Sequence, residues 1–202
     1  MKNFFTASLV FCLISFSTIA EEFPGVIYTE NDTLEVVMKI PVNYIDDQPD
    51  FLKLQKGIKY FNENNRKEKI LPVNARLIKI DYFGTEYYME SVPLKELPGS
   101  ILAGEKRIFV QRLVGGYQNL YSYYAMERDL IAGTGMIIAQ SYLLQTGEGV
   151  FYFVGDGPAS FRKRMREYYF DCPEVMKKVE DKIFRFQDIV KMVKYYNEYC
   201  GE

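Results

Sequence analysis

Histidine and tryptophan are both missing from this 202-residue chain, and cysteine occurs only three times. Without an imidazole there is no Ser-His-Asp triad, no His-ligated metal centre and no side chain that switches charge near neutral pH by its ordinary pKa. Charge of one sign is not in excess either. The 25 Lys and Arg residues stand against 27 Asp and Glu, and a net charge of −2 offers no general attraction to a phosphate backbone, so nucleic acid is not an expected partner. The Walker spacing, the EF-hand pattern and a Cys-x-x-Cys pair are absent as well, so no cofactor and no metal is expected. Hydrophobic residues at 48% and charged residues at 26% are ordinary globular values that exclude general disorder and a multi-span membrane protein. A chain of this length buries roughly 70% of its unfolded surface, enough for a true core.

The first segment reads as an address. Met1-Lys2-Asn3 is a short basic start, Phe4 to Ala20 runs without a charge, and Glu21-Glu22 follows. The run is short for a bilayer span, its downstream flank is acidic, and Thr18-Ile19-Ala20 places small residues at −3 and −1 of a cleavage site. Residues 1–20 are therefore expected to be a secretory signal peptide cleaved near Ala20. The product is expected to be secreted, and periplasmic or outer-membrane-associated.

Cleavage removes Cys12 and leaves Cys172 and Cys200, which an oxidising compartment makes a disulfide pair. Geometry agrees. Asp171-Cys172-Pro173-Glu174 has the make-up of a capped helix start, with Asp171 as N-cap. Cys172, Val175, Met176, Val179 and Ile183 then share one helical face, and a second helix from about Gln187 to Tyr199 carries Ile189, Met192, Val193, Tyr196 and Cys200 on its apolar face. Folding the two helices back about Phe184-Arg185-Phe186 brings the cysteines within reach of each other. The pair is read as structural.

Upstream the period is two. Gly25–Glu30 and Thr33–Ile40 flank Asn31-Asp32, Ala75–Phe83 and Glu86–Val92 flank Gly84-Thr85, and Arg107–Val114 and Tyr117–Met126 flank Gly115-Gly116. Met136–Leu144 and Gly149–Val154 make a fourth pair about Gly147. Phe51–Phe61 reads as a returning strand, Asn62–Lys69 as a polar turn or loop, and Pro93–Gly104 as a loop. Beyond Gly155-Asp156-Gly157-Pro158 the period becomes helical, with Phe161, Met165, Tyr168 and Tyr169 on one face. The predicted fold class is α+β: an antiparallel β module of hairpins, sandwich- or roll-like, over 23–154, followed by a helical C-terminal subdomain of about three helices over 158–202.

The order Gly25-Val26-Ile27-Tyr28, then Phe109 to Val114 leading through Gly-Gly into Leu120-Tyr121-Ser122-Tyr123, then Asp171-Cys172-Pro173-Glu174 and Tyr195 to Cys200, resembles uncharacterised exported proteins of Bacteroidota-type bacteria. The resemblance spans most of the mature chain, and its specific part is the terminal segment. It implies export and a β module followed by a helical tail; it implies no activity and no catalytic residue. Ala125–Gln145 is longer and more apolar than that pattern.

Tyrosine is the most unusual feature of the composition. Tyr117, Tyr121 and Tyr123 are spaced to share one strand face and could form a stacking surface for a glycan or peptide; alternating Tyr also suits a half-buried sheet for packing reasons alone. Gly157 and Ser160 ahead of Arg162 and Lys163 could hold an anion at a helix start, and the basic helix near 162–166 could touch anionic lipid headgroups. Asp46, Asp47 and Asp50 read as a solvated loop, and Glu86 or Glu90 with Glu127 are the carboxylates a glycoside-hydrolysing reading would use. Lack of His and of any nucleophile motif favours a non-catalytic, envelope-associated binding or structural module with an envelope protein or glycan as partner. The alternative is a carboxylate-based enzyme acting on envelope carbohydrate.

Overall fold

The computed structural model describes residues 20–43, 46–94, 97, 107–128, 136–147, 149, 151–155 and 157–201. The leader up to residue 19, Asp156 and residues 95–96 and 98–104 of the expected loop lie outside the described residues.

Strands come first in the chain and helices last. The strands are β1 (Ala20–Tyr28), β2 (Thr33–Asn43), β3 (Gln48–Pro49), β4 (Ile58–Phe61), β5 (Lys67–Ile70), β6 (Leu77–Tyr82), β7 (Thr85–Pro93), β8 (Arg107–Val114), β9 (Gln118–Arg128), β10 (Met136–Thr146) and β11 (Tyr152–Gly155). The helices are α1 (Phe51–Leu54), α2 (Pro158–Tyr168), α3 (Pro173–Glu180) and α4 (Ile189–Tyr199). The strands join edge to edge in the order β11-β10-β9-β8-β7-β6-β1-β2-β4-β5, with β3 paired to β2 off this path. Every pairing is antiparallel, as hairpin-linked strands require. The protein is therefore α+β, a β-rich N-terminal part with helices at the C-terminus.

Period-two burial builds the sheet. In β6, Ile78, Ile80 and Tyr82 are buried while Lys79 and Asp81 face outward. Ile78 and Ile80 join Ile27, Met38, Ile40 and Met89 in a core on one face, where each fully buried large side chain contributes about 1.5–3 kcal/mol. Further along, Val114, Leu120, Leu144 and Val154 meet Phe161, Met165 and Tyr169, so the C-terminal helices cover the sheet. A third cluster, including Ile108, Val110 and Tyr121, lies across the sheet from Phe109, since neighbouring strand residues point to opposite faces.

Several elements differ from the sequence pattern, each for a local reason. Phe51–Phe61 is not one strand: the Asp50 carboxylate accepts from the Lys53 N–H at 3.1 Å and starts the short α1, whose Leu54 is buried. Lys67–Ile70 is an edge strand rather than loop; three of its four residues are exposed, which leaves no apolar alternation to read. The β6–β7 turn falls on Phe83-Gly84, one residue earlier than expected, with φ of 50° and 78°, the doubly left-handed turn that suits the twist of a hairpin. The α3 N-cap is Cys172, not Asp171, and it makes no side-chain capping bond. Ile183 is 58% exposed because α3 ends at Glu180 and Lys182 turns left-handed at φ 59°, taking the chain away from the helical face. The second tail helix begins with a 3-10 turn at Phe186–Asp188.

Candidate functional site: a cationic cleft beside the C-terminal helices

Pro158 occupies the first turn of α2, where the backbone N–H it lacks would have no intrahelical acceptor. The helix then turns Phe161 and Met165 into the core. Arg162, Lys163 and Arg166 consequently stand on its outer side, where the α3–α4 connector faces them with Lys182 and Arg185. These five cations rim a cleft of about 530 Å³ whose apolar wall is formed by Phe161, Val179, Phe184 and Phe186. No carboxylate is among its described lining residues.

Two of the cations are engaged, Arg166 across to the end of α3 and Arg185 within the connector. Arg166 donates to Glu180 at 3.0 Å, and Arg185 donates to the Lys182 carbonyl at 3.2 Å. Lys163 stands 4.0 Å from Glu167 in an exposed i, i+4 pair. Arg162 and Lys182 have no acidic partner among the described residues. Such a rim over a phenyl wall suits an anionic group carried on an apolar body.

Of the residues read from the sequence as an anion site, Arg162 and Lys163 line this cleft and Gly157 and Ser160 do not. Gly157 is the extended N-cap of α2 (φ −172°), and the Ser160 hydroxyl lies over Gly155, where an added Cβ would meet it at 3.2 Å. Arg164, the remaining cation of the run, is turned inward: it donates to the Phe153 carbonyl at 2.9 Å and lies over the Phe153 ring. The cleft thus runs along the flank of α2 from Pro158 and Ala159 to Arg166, without Gly157 or Ser160.

The tyrosine platform is not formed. Tyr121 and Tyr123 are 2% and 5% exposed, packed in the cluster with Val92 and Ile108, while Tyr117 sits in the turn before β9 at 46% exposure beside Tyr196. Even spacing did place Tyr121 and Tyr123 on one face, but that face is interior. Burial, with Glu90 nearby, pushes the Tyr121 phenol far above its ordinary pKa.

The carboxylates are taken up locally. Glu86 pairs with Lys79 and accepts from Tyr88 at 2.5 Å, and these hydrogen bonds hold its carboxyl below the usual range. Glu90 pairs with Arg112. The Glu127 side chain lies outside the described residues. Asp50 is spent as the α1 cap and bonds Lys53 at 2.8 Å, Asp46 accepts from the Gln48 N–H at 3.2 Å, and Asp47 has φ 53°. No group of three potential metal-ligating acids or cysteines stands together among the described residues.

Cys172 and Cys200 stand at disulfide distance, sulfurs 2.02 Å and Cα atoms 6.1 Å apart. Beside them is a contact the sequence reading did not identify. Asn197 of α4 accepts from the Gln118 N–H at 2.8 Å and donates to the Gln118 carbonyl at 2.9 Å, so one side-chain amide completes the backbone of β9. Gly116 makes room for it: a Cβ there would come 2.6 Å from Asn197 Nδ2. Toward the other end of β9 the buried Gln55 does the same for Tyr124, accepting from its N–H at 2.6 Å and donating to its carbonyl at 2.8 Å. The Gln55 backbone carbonyl meanwhile accepts from Phe109 N–H at 3.1 Å, so Gln55 bridges β8 and β9 beyond their paired stretch.

Compared with protein-family models, curated proteins and solved structures, the chain matches none.

Proposed function

We propose that this protein is an exported, non-catalytic module of the bacterial envelope that docks on anionic lipid headgroups through the cleft flanking α2. The observation that carries this reading is the rim of five cations around a phenyl wall, with Arg162 and Lys182 lacking acidic partners among the described residues. Three charges on α2 alone would be marginal for membrane residence; Lys182 and Arg185 from the connector add to them, and each cation near an anionic surface contributes about 1 kcal/mol. Ile183, exposed and between the cleft residues Lys182 and Phe184 in sequence, would add an apolar contact to a membrane surface. Export rests on the leader pattern of residues 1–20 and on two cysteines that an oxidising compartment would join.

Vesicle flotation tests the docking. The mature chain should float with vesicles containing phosphatidylglycerol, release as salt is raised, and stay behind with purely zwitterionic vesicles. Arg162→Glu with Lys182→Glu should abolish flotation. Equal recovery on both vesicle types, or no effect of the double variant, overturns the reading. Intact mass of the protein from the periplasmic fraction tests export, with loss of residues 1–20 expected.

A further inference from the structure

A second basic depression lies at the other end of the sheet. Lys39 of β2 is directly opposite Lys59 of β4, and Lys59 is directly opposite Lys69 of β5, so three ammonium groups form a row across three adjacent strands. Directly opposed like charges destabilise a sheet, and neighbouring strands put them only about 4.8 Å apart at the backbone. Lys53, Lys56 and Lys67 flank the row, and together the six line a groove of about 490 Å³ with no carboxylate among its described lining residues.

Compensation is sparse. Lys39 meets Glu22 at 3.1 Å and Lys53 meets Asp50 at 2.8 Å, while Lys56, Lys59, Lys67 and Lys69 have no acidic partner among the described residues. The nearest acid in sequence, Glu68, points to the other face and is held by Tyr60 at 2.6 Å and Asn62 at 2.6 Å. Protection of an exposed sheet edge explains lysines on β5, but it does not explain Lys39 and Lys59, which lie on strands paired on both sides. Gly57 lies under the end of the row: its φ of +125° and the Ile70 carbonyl oxygen, which an added Cβ would meet at 2.7 Å, call for glycine there, and the exposed Lys69 stem passes over it.

We propose that this groove binds an acidic polysaccharide, a linear chain carrying one carboxylate per repeat. The cations are drawn out in a row, one per strand, rather than converging on a point as a compact oxyanion would need. Pro41, Val42, Leu54 and Ile58 are the apolar part of the wall; no aromatic residue is among the described lining residues, and the Phe61 ring farther along the same face of β4 is taken up by the Lys39 ammonium, 5.1 Å from its centroid. The site is separate from the α2 cleft and does not depend on it.

Polygalacturonate is the probe, titrated by calorimetry into the mature chain at low and at moderate salt, with neutral dextran, polyphosphate and a single-stranded oligonucleotide in parallel. Polygalacturonate binding that weakens with salt is expected, with no response to dextran. Lys59→Glu with Lys69→Glu should weaken it roughly tenfold or more, while Arg162→Glu with Lys182→Glu, an equal change of charge in the other cleft, should leave it within about twofold. Lys59→Glu alone should raise the Tm of the free protein, because it places an opposite charge between Lys39 and Lys69, and weaken binding at the same time. Failure to bind polygalacturonate, tighter binding of polyphosphate or the oligonucleotide, or equal loss in both double variants overturns the proposal. Loss of vesicle flotation in the Arg162/Lys182 variant with polygalacturonate binding intact would separate the two sites.

Discussion

Replacing Gln55 by Ala isolates a single side chain that joins distant parts of the sheet. Gln55 is 1% exposed, and its amide supplies both hydrogen bonds of the Tyr124 peptide groups. Alanine keeps the Gln55 carbonyl bond to Phe109 but leaves the Tyr124 N–H and carbonyl unpaired. Each buried polar group left without a partner costs about 1–3 kcal/mol. Tyr124 is only half-buried, so solvent recovers part of this, and the expected loss is about 2–4 kcal/mol out of a total stability of roughly 5–15 kcal/mol. Gln55→Glu is the more informative partner. It retains the acceptor for the N–H but turns an acceptor toward the Tyr124 carbonyl, and burial raises the pKa of the new carboxyl in the folded state. A raised folded pKa stabilises below the unfolded value and loses that contribution as pH rises, so this variant should gain relative to wild type on acidification. Urea unfolding at several pH values gives the free energies, and native-state hydrogen exchange at the Tyr124 amide reports the local opening. A loss under about 0.5 kcal/mol with Tyr124 equally protected would refute the reasoning.

Further expectations can be checked in the same material. Reduction of the Cys172–Cys200 pair, separated by 28 positions, should cost roughly 3–4 kcal/mol on the loop-entropy model; urea midpoints with and without reductant decide it, and a change under 1 kcal/mol rejects the pairing as a stabilising link. Gly116→Ala should lower Tm, since its Cβ collides with Asn197 and φ is +153°, whereas Gly157→Ala, with open space and extended φ, should be nearly neutral; similar Tm values for both would contradict the close approach. The Tyr60 phenol, bonded to Glu68, is pushed up to about 12. Its raised folded pKa keeps its contribution intact below the unfolded value near 10 and removes it as pH rises toward 12, so ultraviolet titration should show a late phenol that Glu68→Gln returns toward its ordinary value.

Hairpins were legible because their signals are local: Gly115-Gly116 lies between two apolar runs, and β8 and β9 form on either side of it. The helical tail was legible through its period, and inward faces at Cys172 and Cys200 were enough to bring the cysteines together. What sequence hid has physical causes. Edge strand β5 exposes most of its residues, so its pattern resembles a loop. Alternating tyrosines read alike whether their face meets water or core, and Tyr121 and Tyr123 meet core. Arg162 and Lys163 were found, but Lys182 and Arg185 enter the cleft only through the turn after α3. The amides of Gln55 and Asn197 act across 69 and 79 positions, a distance no window of sequence spans.

Those two amides grip main chain, and they grip it at points on β9 an even number of residues apart. Main-chain recognition ignores which side chain the gripped residue carries, yet both grips close together only when the strand between them is neither slipped nor lengthened. The pair works as a gauge for alignment: inserting or deleting one residue between 118 and 124 disengages one end whichever way the strand settles, while many substitutions there leave both ends seated.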